Sequence, residues 1–317
     1  MKAHISRPIA AALALSSVVA TPVHADDSTA ALAAGGIVLT KSSTIAMRSE
    51  NLYISEGAVR AQFKFVNTAA TDVTVTVAFP LPDVTTGPME QPANFPVDSA
   101  TNFLGFSTVV NGKPVKLQIE QKALENGHDY TALLRKMGVP LAPQRDATIA
   151  VLKRLPRAEQ NQLVQLGLAD AANNPPDTPK DAKLDMYGTW TLKTTFYWSQ
   201  TFPAGREVDI EQTYRPSVGS SVPRPLEAAE RAEYCSASAE PGRNFQPNFI
   251  DYVLKSGGNW KGPIGDFTMT IDKGSARNVV SFCGTGVVKT GPTTFQVHYT
   301  NFTPTSDVHV LLWEPVS

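Results

Sequence analysis

Residues 58–83 read AVRAQFKFVNTAATDVTVTVAFPLPD, and this stretch decides the fold class. Apolar and polar side chains alternate in two runs, the first with Val59, Ala61, Phe63 and Phe65, the second with Val73, Val75, Val77 and Phe79. Because successive side chains of a strand point to opposite faces, each run predicts a strand with one apolar face. We expect the two strands to pair antiparallel through the connection at 67–71. Prolines 80 and 82 are expected to end the second strand.

Two strands alone are only marginally stable, so the apolar face needs a second layer, and later runs supply it. Alternation predicts short strands at 37–40, 45–48 and 52–55, a hairpin around Asn111-Gly112 joining 106–110 to 115–119, and strands at 190–198 and 208–214. These runs predict an antiparallel β-sandwich over residues 26–215. A Ser/Pro/Gly-rich connection at 215–225 is a candidate boundary, and a second, smaller β-rich lobe is predicted over 226–317, with one helix at 248–255.

The period changes to that of a helix inside the first lobe, at about residues 124–185. Tyr130, Leu133, Leu134 and Met137 share one helix face, with Asp129 placed to begin the helix and Gly138 to end it. Further short helices are predicted from Asp146 and from Pro156, the latter to about residue 168. Residues 173–183 lack large apolar side chains and predict a loop. The fold class is therefore mainly β (α+β), a β-sandwich with a helical insertion followed by a second β-rich lobe.

Residues 1–25 have the features of a secretory signal peptide. Lys2 and Arg7 precede a short apolar run, and Val23-His24-Ala25 is a small-residue cleavage site, which predicts cleavage after Ala25 and a periplasmic location. No apolar segment has the length of a membrane span. The mature chain would have 292 residues (317 minus 25) and a formal charge of −3, from 26 basic and 29 acidic residues. That balance gives no basis for binding nucleic acid.

Cys235 and Cys283 are the two cysteines of the chain, and both lie in the part expected to be exported. In an oxidising compartment such a pair is predicted to form a disulfide. A redox role is disfavoured, because no C-x-x-C motif is present.

The familiar motifs of catalysis and metal binding are missing from the sequence. It contains no H-E-x-x-H, no G-x-S-x-G and no P-loop, so we expect no cofactor, no metal and no enzyme activity. Asp209 and Glu211 fit a solvated strand face better than a hydrolytic pair. His298 and His309 are candidate cross-strand neighbours, for which ordinary packing roles are favoured over a pH switch. Trp190, Trp198, Trp260 and Trp313 are expected to fill cores rather than form an exposed platform.

Several segments resemble an uncharacterised family of exported proteobacterial proteins, classed as a domain of unknown function. They are DDSTAALAAGGIVLT, IAMRSENLYIS, FKFVNTAATDVTVTVAFPLPD, KGPIGDFTMTIDKG and VVSFCG. The resemblance implies a periplasmic address and no assigned chemistry. The first lobe, through VAFPLP, FSTVVNGKPVKLQIEQKA and WSQTFPAGREVDIEQTY, is also similar to the sandwich domain of vault and inter-alpha-trypsin-inhibitor proteins, although the Asp-x-Ser-x-Ser metal-binding motif that usually follows that domain is missing.

The sequence is compatible with three functions. The first is a non-enzymatic interaction or scaffold module with an envelope protein as its partner. The second is a protein that binds a glycan or another small ligand in a crevice between the lobes, with Tyr130 and Trp260 at its rim. The third is a hydrolase with an unrecognised site.

Overall fold

The computed structural model of the chain describes residues 28–33, 36–85, 94–143, 145–175, 177–179, 182–236 and 244–316. The predicted signal peptide lies outside these residues. The strands are β1 Ser28–Ala33, β2 Gly36–Thr40, β3 Ile45–Ile54, β4 Val59–Asn67, β5 Val73–Pro80, β6 Ser107–Val110, β7 Lys113–Pro114, β8 Gln118–Glu125, β9 His128–Asp129, β10 Ala169–Asp170, β11 Tyr187–Gly188, β12 Thr191–Phe202, β13 Glu207–Tyr214, β14 Gly219–Ser220, β15 Phe245–Tyr252, β16 Ile264–Asp272, β17 Val279–Phe282, β18 Val288–Lys289, β19 Thr294–Phe302 and β20 Val308–Pro315. The helices are α1 Thr131–Lys136, α2 Asp146–Arg154, α3 Arg157–Gln165 and α4 Ala228–Glu233, with a 3-10 helix at Lys255–Asn259.

Within the described residues these strands form three sheets and a short pair, β10 with β11. Sheet A has the order β2-β1-β5-β12-β8-β9, sheet B the order β18-β19-β16-β3-β4-β13-β6-β7, and sheet C the order β14-β15-β20-β17. Strands β3 and β16 are parallel, whereas their other neighbours in sheet B run antiparallel to them. The predicted β-rich α+β fold is confirmed.

Sheets A and B pack face to face through aromatic rings. Phe106, just before β6 of sheet B, lies between Phe196 of β12 and Phe79 of β5, with ring centroids 4.4 and 5.0 Å away. Phe65 of β4 meets Phe202 of β12 at 5.9 Å. All five rings are buried. The apolar alternation of the sequence therefore builds one core between two layers, as the predicted sandwich requires.

The two alternating runs at 59–65 and 73–79 are strands β4 and β5, but their predicted pairing is wrong. Strand β4 pairs with β3 and β13 in sheet B, and β5 pairs with β1 and β12 in sheet A. The connection crosses from one layer to the other, and buried Asn67 fixes it. Its side-chain amide donates to the carbonyls of Thr71 and Phe202, both at 2.8 Å, and its carbonyl accepts from the Ala69 backbone N–H at 2.9 Å.

The strands predicted at 45–48 and 52–55 are one continuous strand, β3. Its register to β4 shifts between Met47 and Ser49, so one extra residue, Arg48, changes which positions face the core. Ile45 and Met47 are buried before the shift, and Leu52 and Ile54 after it. This bulge interrupts the apolar alternation, and for that reason the sequence predicts two short strands where the structure has one.

The Asn111-Gly112 turn forms as predicted, with φ of 47° and 76°, but the returning strand β7 is only two residues long. Val115 still donates its backbone N–H to the Thr108 carbonyl of β6 at 3.0 Å, but the hairpin does not continue to Ile119, which pairs with Phe196 of β12. From residue 118 the chain is instead strand β8, which pairs with β12 in sheet A. The Asn-Gly turn is therefore set by the local sequence. The partner of the strand that follows it is instead decided by the second layer, sheet A, where β8 pairs with β12.

The helical insertion contains α1, α2 and α3, and the predicted starts at Asp129, Asp146 and Pro156 are close to the observed ones. The Asp129 carboxylate accepts from the Thr131 backbone N–H at 2.9 Å, and Gly138 adopts φ of 70° after α1. Helix α3 ends at Gln165 rather than near 168. Each helix buries one leucine completely against the common core, namely Leu134, Leu152 and Leu163.

The C-terminal part contributes to two sheets. Strands β16 and β19 extend sheet B beside β3, so segments from both predicted lobes share one sheet. The helix predicted at 248–255 is wrong, because 245–252 is strand β15, paired along its length with β20. Pro247 is tolerated there since its carbonyl accepts from the Ser221 N–H, so its missing N–H lies on the side where β14 has already ended. The division of the chain into lobes at 26–215 and 226–317 stays a prediction.

Candidate functional site

An open cleft of about 770 Å³ lies where the three sheets approach each other. Residues 82–85 after β5 line it from sheet A, Tyr214 at the end of β13 from sheet B, and Phe249 and Asp251 on β15 from sheet C. Residues of the Ser/Pro/Gly connection, including Ser220, Ser221 and Val222, complete the wall. The cleft therefore lies at the predicted boundary between the lobes.

Helix α4 forms the acidic wall of this cleft. Glu227 and Glu230 at its start make a capping box, in which each side chain accepts from the other's backbone N–H. Arg224 pairs with Glu230 through two contacts, one of 2.7 Å, and this guanidinium lowers the pKa of the Glu230 carboxyl. Helix α4 thus presents its carboxylates from a fixed position.

A disulfide fixes the end of the same helix. Cys235, one residue beyond Tyr234, is bonded to Cys283, which follows β17. The predicted pairing of Cys235 with Cys283 is confirmed. The Ser281 hydroxyl of β17 also donates to the Tyr234 carbonyl at 2.8 Å, so two links hold the wall of the cleft to sheet C.

Two carboxylates that line the cleft, Glu233 and Asp251, both contact His309, which is not itself one of the lining residues. The His309 Nδ1 lies 2.7 Å from Asp251 Oδ1 and 3.4 Å from Glu233 Oε1. The hydrogen bond to Asp251 raises the pKa of His309, although burial opposes the rise. His309 lies on β20 and Asp251 on the paired β15, at directly opposite positions of the ladder.

Tyr234 completes this group, which we call the acidic corner: Glu233, Tyr234, Asp251 and His309. The Tyr234 ring is 7% exposed and contacts the rings of Phe249 and His309 at 5.4 and 6.1 Å. Burial raises the pKa of the Tyr234 hydroxyl, and the carboxylates of Asp251, Glu233 and Glu230 add to the rise. The hydroxyl therefore stays protonated at neutral pH.

The residues that the sequence analysis considered for function lie elsewhere. Trp260, expected at a crevice rim, is 3% exposed and packs on Phe65 at 4.5 Å, so it belongs to the core. The other three tryptophans are buried too. Tyr130 precedes α1 in the helical insertion and is not part of the cleft lining.

The two candidate neighbour histidines are in different sheets. His298 is on β19 of sheet B and contacts Asp266 at 2.8 Å, whereas His309 is on β20 of sheet C. Asp209 belongs to an exposed strand face, where Lys64 lies 2.9 Å from both Asp209 and Glu207. These observations agree with the solvated face predicted for β13.

Helix α4 and the acidic corner were not predicted from the sequence. The available signal was the spacing of Glu227 and Glu230, which fits a capping box next to a Ser/Pro/Gly connection. In the part of the chain that the structure describes, no group of three or more His, Cys, Asp or Glu side chains has an arrangement able to hold a metal ion. No helix among the described residues has both the length and the apolar character needed to cross a membrane.

The fold and the cleft define a β-rich protein of several sheets with an acidic cleft between them. The chain belongs to the family described as Domain of unknown function (DUF4424), which matches residues 25–311. The resemblance predicted from the sequence segments is thereby confirmed at the family level, while the similarity to the vault sandwich domain stays a prediction. No curated protein is a significant match.

Solved structures resemble the chain only distantly. A candidate nutrient binding protein from Legionella pneumophila aligns with a TM-score of 0.46 and 17% identity, over 86% of this chain and 68% of that one. An M1 zinc metallopeptidase from Deinococcus radiodurans aligns with a TM-score of 0.24 and 9% identity, over 86% of this chain and 43% of that one. The chain spans less than half of the metallopeptidase, and these TM-scores carry no conclusion about function.

Proposed function

We propose that the chain is an exported protein that binds a small molecule in the cleft beside α4. The observation that carries this proposal is the cleft itself, whose volume of about 770 Å³ is in the range of small-molecule sites. Its walls combine apolar side chains such as Leu104 and Phe249 with a few convergent polar groups. That combination is typical of sites that bury the body of a ligand and orient its polar end.

Export is part of the same proposal. The disulfide between Cys235 and Cys283 fits an oxidising compartment, and the first 25 residues have the pattern of a signal peptide. We expect N-terminal sequencing of the periplasmic fraction to give Asp26 as the first residue. Recovery of the protein with its leader intact in the cytoplasm would contradict export.

The interaction module and the hydrolase remain predictions from the sequence. Neither has a feature in the described residues as specific as the cleft. A binding role needs no catalytic group, so it also agrees with the missing sequence motifs.

The test of ligand binding is a thermal-shift screen of a metabolite library, repeated with Ser221→Trp. Ser221 lines the cleft, and among the described residues its hydroxyl donates only to the adjacent Val222 carbonyl, so an indole there fills space without removing a long-range side-chain contact. The matched control is Thr300→Trp, at an exposed position of β19 outside the cleft lining. We expect at least one compound to stabilise the wild type and the control but not Ser221→Trp.

The proposal is wrong if no compound stabilises the wild type, or if compounds that do so stabilise Ser221→Trp equally. The second result would place the binding site outside the cleft. Circular dichroism of both variants checks that each retains the β-rich fold.

A further inference from the structure

The acidic corner differs from the rest of the cleft in how its charges are paired. Glu230 has the Arg224 guanidinium, and Asp83 has the Lys193 ammonium at 2.6 Å. Glu233 and Asp251, by contrast, share one imidazole in the part of the chain that the structure describes. The corner therefore carries a formal charge of −1 with His309 protonated and −2 with His309 neutral.

A second observation is independent of these carboxylates. The Tyr234 side chain is more than nine-tenths buried and lines the cleft, yet no described residue hydrogen-bonds to its hydroxyl. Tyr234 lines the same cleft as Asp251, Glu233 and Glu230, and these three carboxylates add to the rise that burial causes in the pKa of its hydroxyl. The Tyr234 residue is buried as a whole, but its hydroxyl oxygen is not among the fully enclosed polar atoms that have no partner, so a group that enters the cleft can reach it.

We propose that the acidic corner binds the ammonium group of an organic cation, a proposal that rests on the small-molecule role of the cleft. A primary ammonium has three N–H donors and no acceptor, and the corner offers it three acceptors: Glu233, Asp251 and the Tyr234 hydroxyl. All three bonds would be charge-assisted because the ammonium donor is ionised, and the two to Glu233 and Asp251 would have an ionised acceptor as well. The apolar body of the ligand would then lie along Phe249, whose ring is 5.4 Å from that of Tyr234.

His309 makes this binding sensitive to pH. Its proton and the ligand's ammonium compete for the same carboxylates, Asp251 and Glu233. The other charged groups that act on the imidazole or the phenol are Asp307 and Glu230, both acidic, and Glu230 is already paired with Arg224. Amine binding should therefore strengthen as pH rises from 6 to 8 and His309 loses its proton.

Isothermal titration of the mature chain with three probes of one shape tests the proposal. Benzylamine is cationic, benzyl alcohol is neutral and benzoate is anionic at neutral pH. We expect benzylamine to bind at least tenfold more tightly than benzyl alcohol at pH 8, and benzoate to bind most weakly. Benzylamine affinity should fall at least threefold between pH 8 and pH 6 in the wild type, and should not fall in His309→Gln.

The variants Glu233→Gln and Asp251→Asn keep the size of half-exposed side chains and remove one charge each. We expect each to weaken benzylamine binding at least tenfold, and Tyr234→Phe, which removes only the hydroxyl, to weaken it at least threefold. The matched control is Glu211→Gln on the exposed face of β13, which also removes one negative charge and should leave the affinity unchanged.

The possible failures are distinguishable from failure of the proposed function. If benzyl alcohol or benzoate binds as tightly as benzylamine, and Ser221→Trp abolishes that binding, the cleft is a ligand site but the assignment to cations is wrong. The assignment is also wrong if Glu211→Gln weakens benzylamine as much as Glu233→Gln, because long-range charge would then explain the effect. If none of the three probes binds, this inference is overturned, and the library screen with Ser221→Trp decides the proposed function separately.

Discussion

Removal of the disulfide gives the sharpest test of how the wall of the cleft is held. The bond joins residues 48 positions apart, so the chain-entropy relation assigns it about 4 kcal/mol at 25 °C. A chain of this size is expected to have a urea m-value of about 3 kcal/mol/M, which converts that loss to a midpoint shift of about 1.3 M. We therefore expect Cys235→Ser/Cys283→Ser to unfold at about 1.3 M less urea than the oxidised wild type.

The assay is equilibrium urea unfolding followed by tryptophan fluorescence, since all four indoles are buried. The reduced wild type is the control. Wild type treated with a reductant should unfold at the same midpoint as the double variant, because neither has the cross-link.

A midpoint for the double variant within 0.3 M of the oxidised wild type would refute the reasoning. It would mean that the segment from α4 to β17 is equally restricted without the bond. The Ser281 contact to the Tyr234 carbonyl and the His309 contact to Glu233 also link this segment to sheet C, so Ser281→Ala in the double variant is the next measurement.

Three further outcomes follow from buried or coupled polar groups. Asn67→Ala removes three hydrogen bonds at the crossing between layers and should cost about 3 kcal/mol in urea unfolding. Gln160→Ala removes bonds to the Leu152 carbonyl and to both backbone groups of Leu184, and should cost about 3 kcal/mol as well. His309→Gln should lower stability at pH 5 but not at pH 9, because a histidine with a raised folded pKa stabilises below its unfolded pKa and loses that contribution as pH rises through the folded value.

The first two of these outcomes have control variants, and the third is checked by its dependence on pH. Asn173→Ala, at an exposed loop position, should change the free energy of unfolding by less than about 0.5 kcal/mol. If Asn67→Ala changed it by as little, the role given to Asn67 at the crossing between layers would be contradicted. Gln162 is exposed on the same helix as Gln160, so Gln162→Ala is the matched control for Gln160→Ala. For His309→Gln, a stability difference from wild type that grows between pH 5 and pH 9 would contradict the sign derived from Asp251.

Period-two alternation predicted where the strands are but not which strands are neighbours. The apolar face of Phe63 and Phe65 fits a sheet whichever strand lies beside it, and a five-residue connection suits a hairpin as well as a crossing between layers. The crossing depends on Asn67 bonding to the Phe202 carbonyl, a contact 135 positions away in sequence. Such a long-range bond has no local signature.

Strand β15 was mistaken for a helix for a related reason. Pro247 near the start and Gly257-Gly258 after the end are helix boundary signals, and the buried alternation of Asn248, Ile250 and Tyr252 includes a polar residue. Asn248 is buried because its amide donates to Glu56 and Glu314, which are distant in sequence. The acidic corner was missed likewise, since β15, β20 and α4 are brought together only by the tertiary fold.

The parallel pairing of β3 with β16 bears on when the molecule can fold. The hydroxyl of Tyr53 and the carboxylate of Asp272 meet at 2.9 Å from positions 219 residues apart. A growing polypeptide must therefore be synthesised over most of its length before the middle of sheet B is complete, and closing so long a loop is slow. Until then β3 presents an unpaired backbone edge, so a chain of this topology would depend on protection from self-association during its delivery.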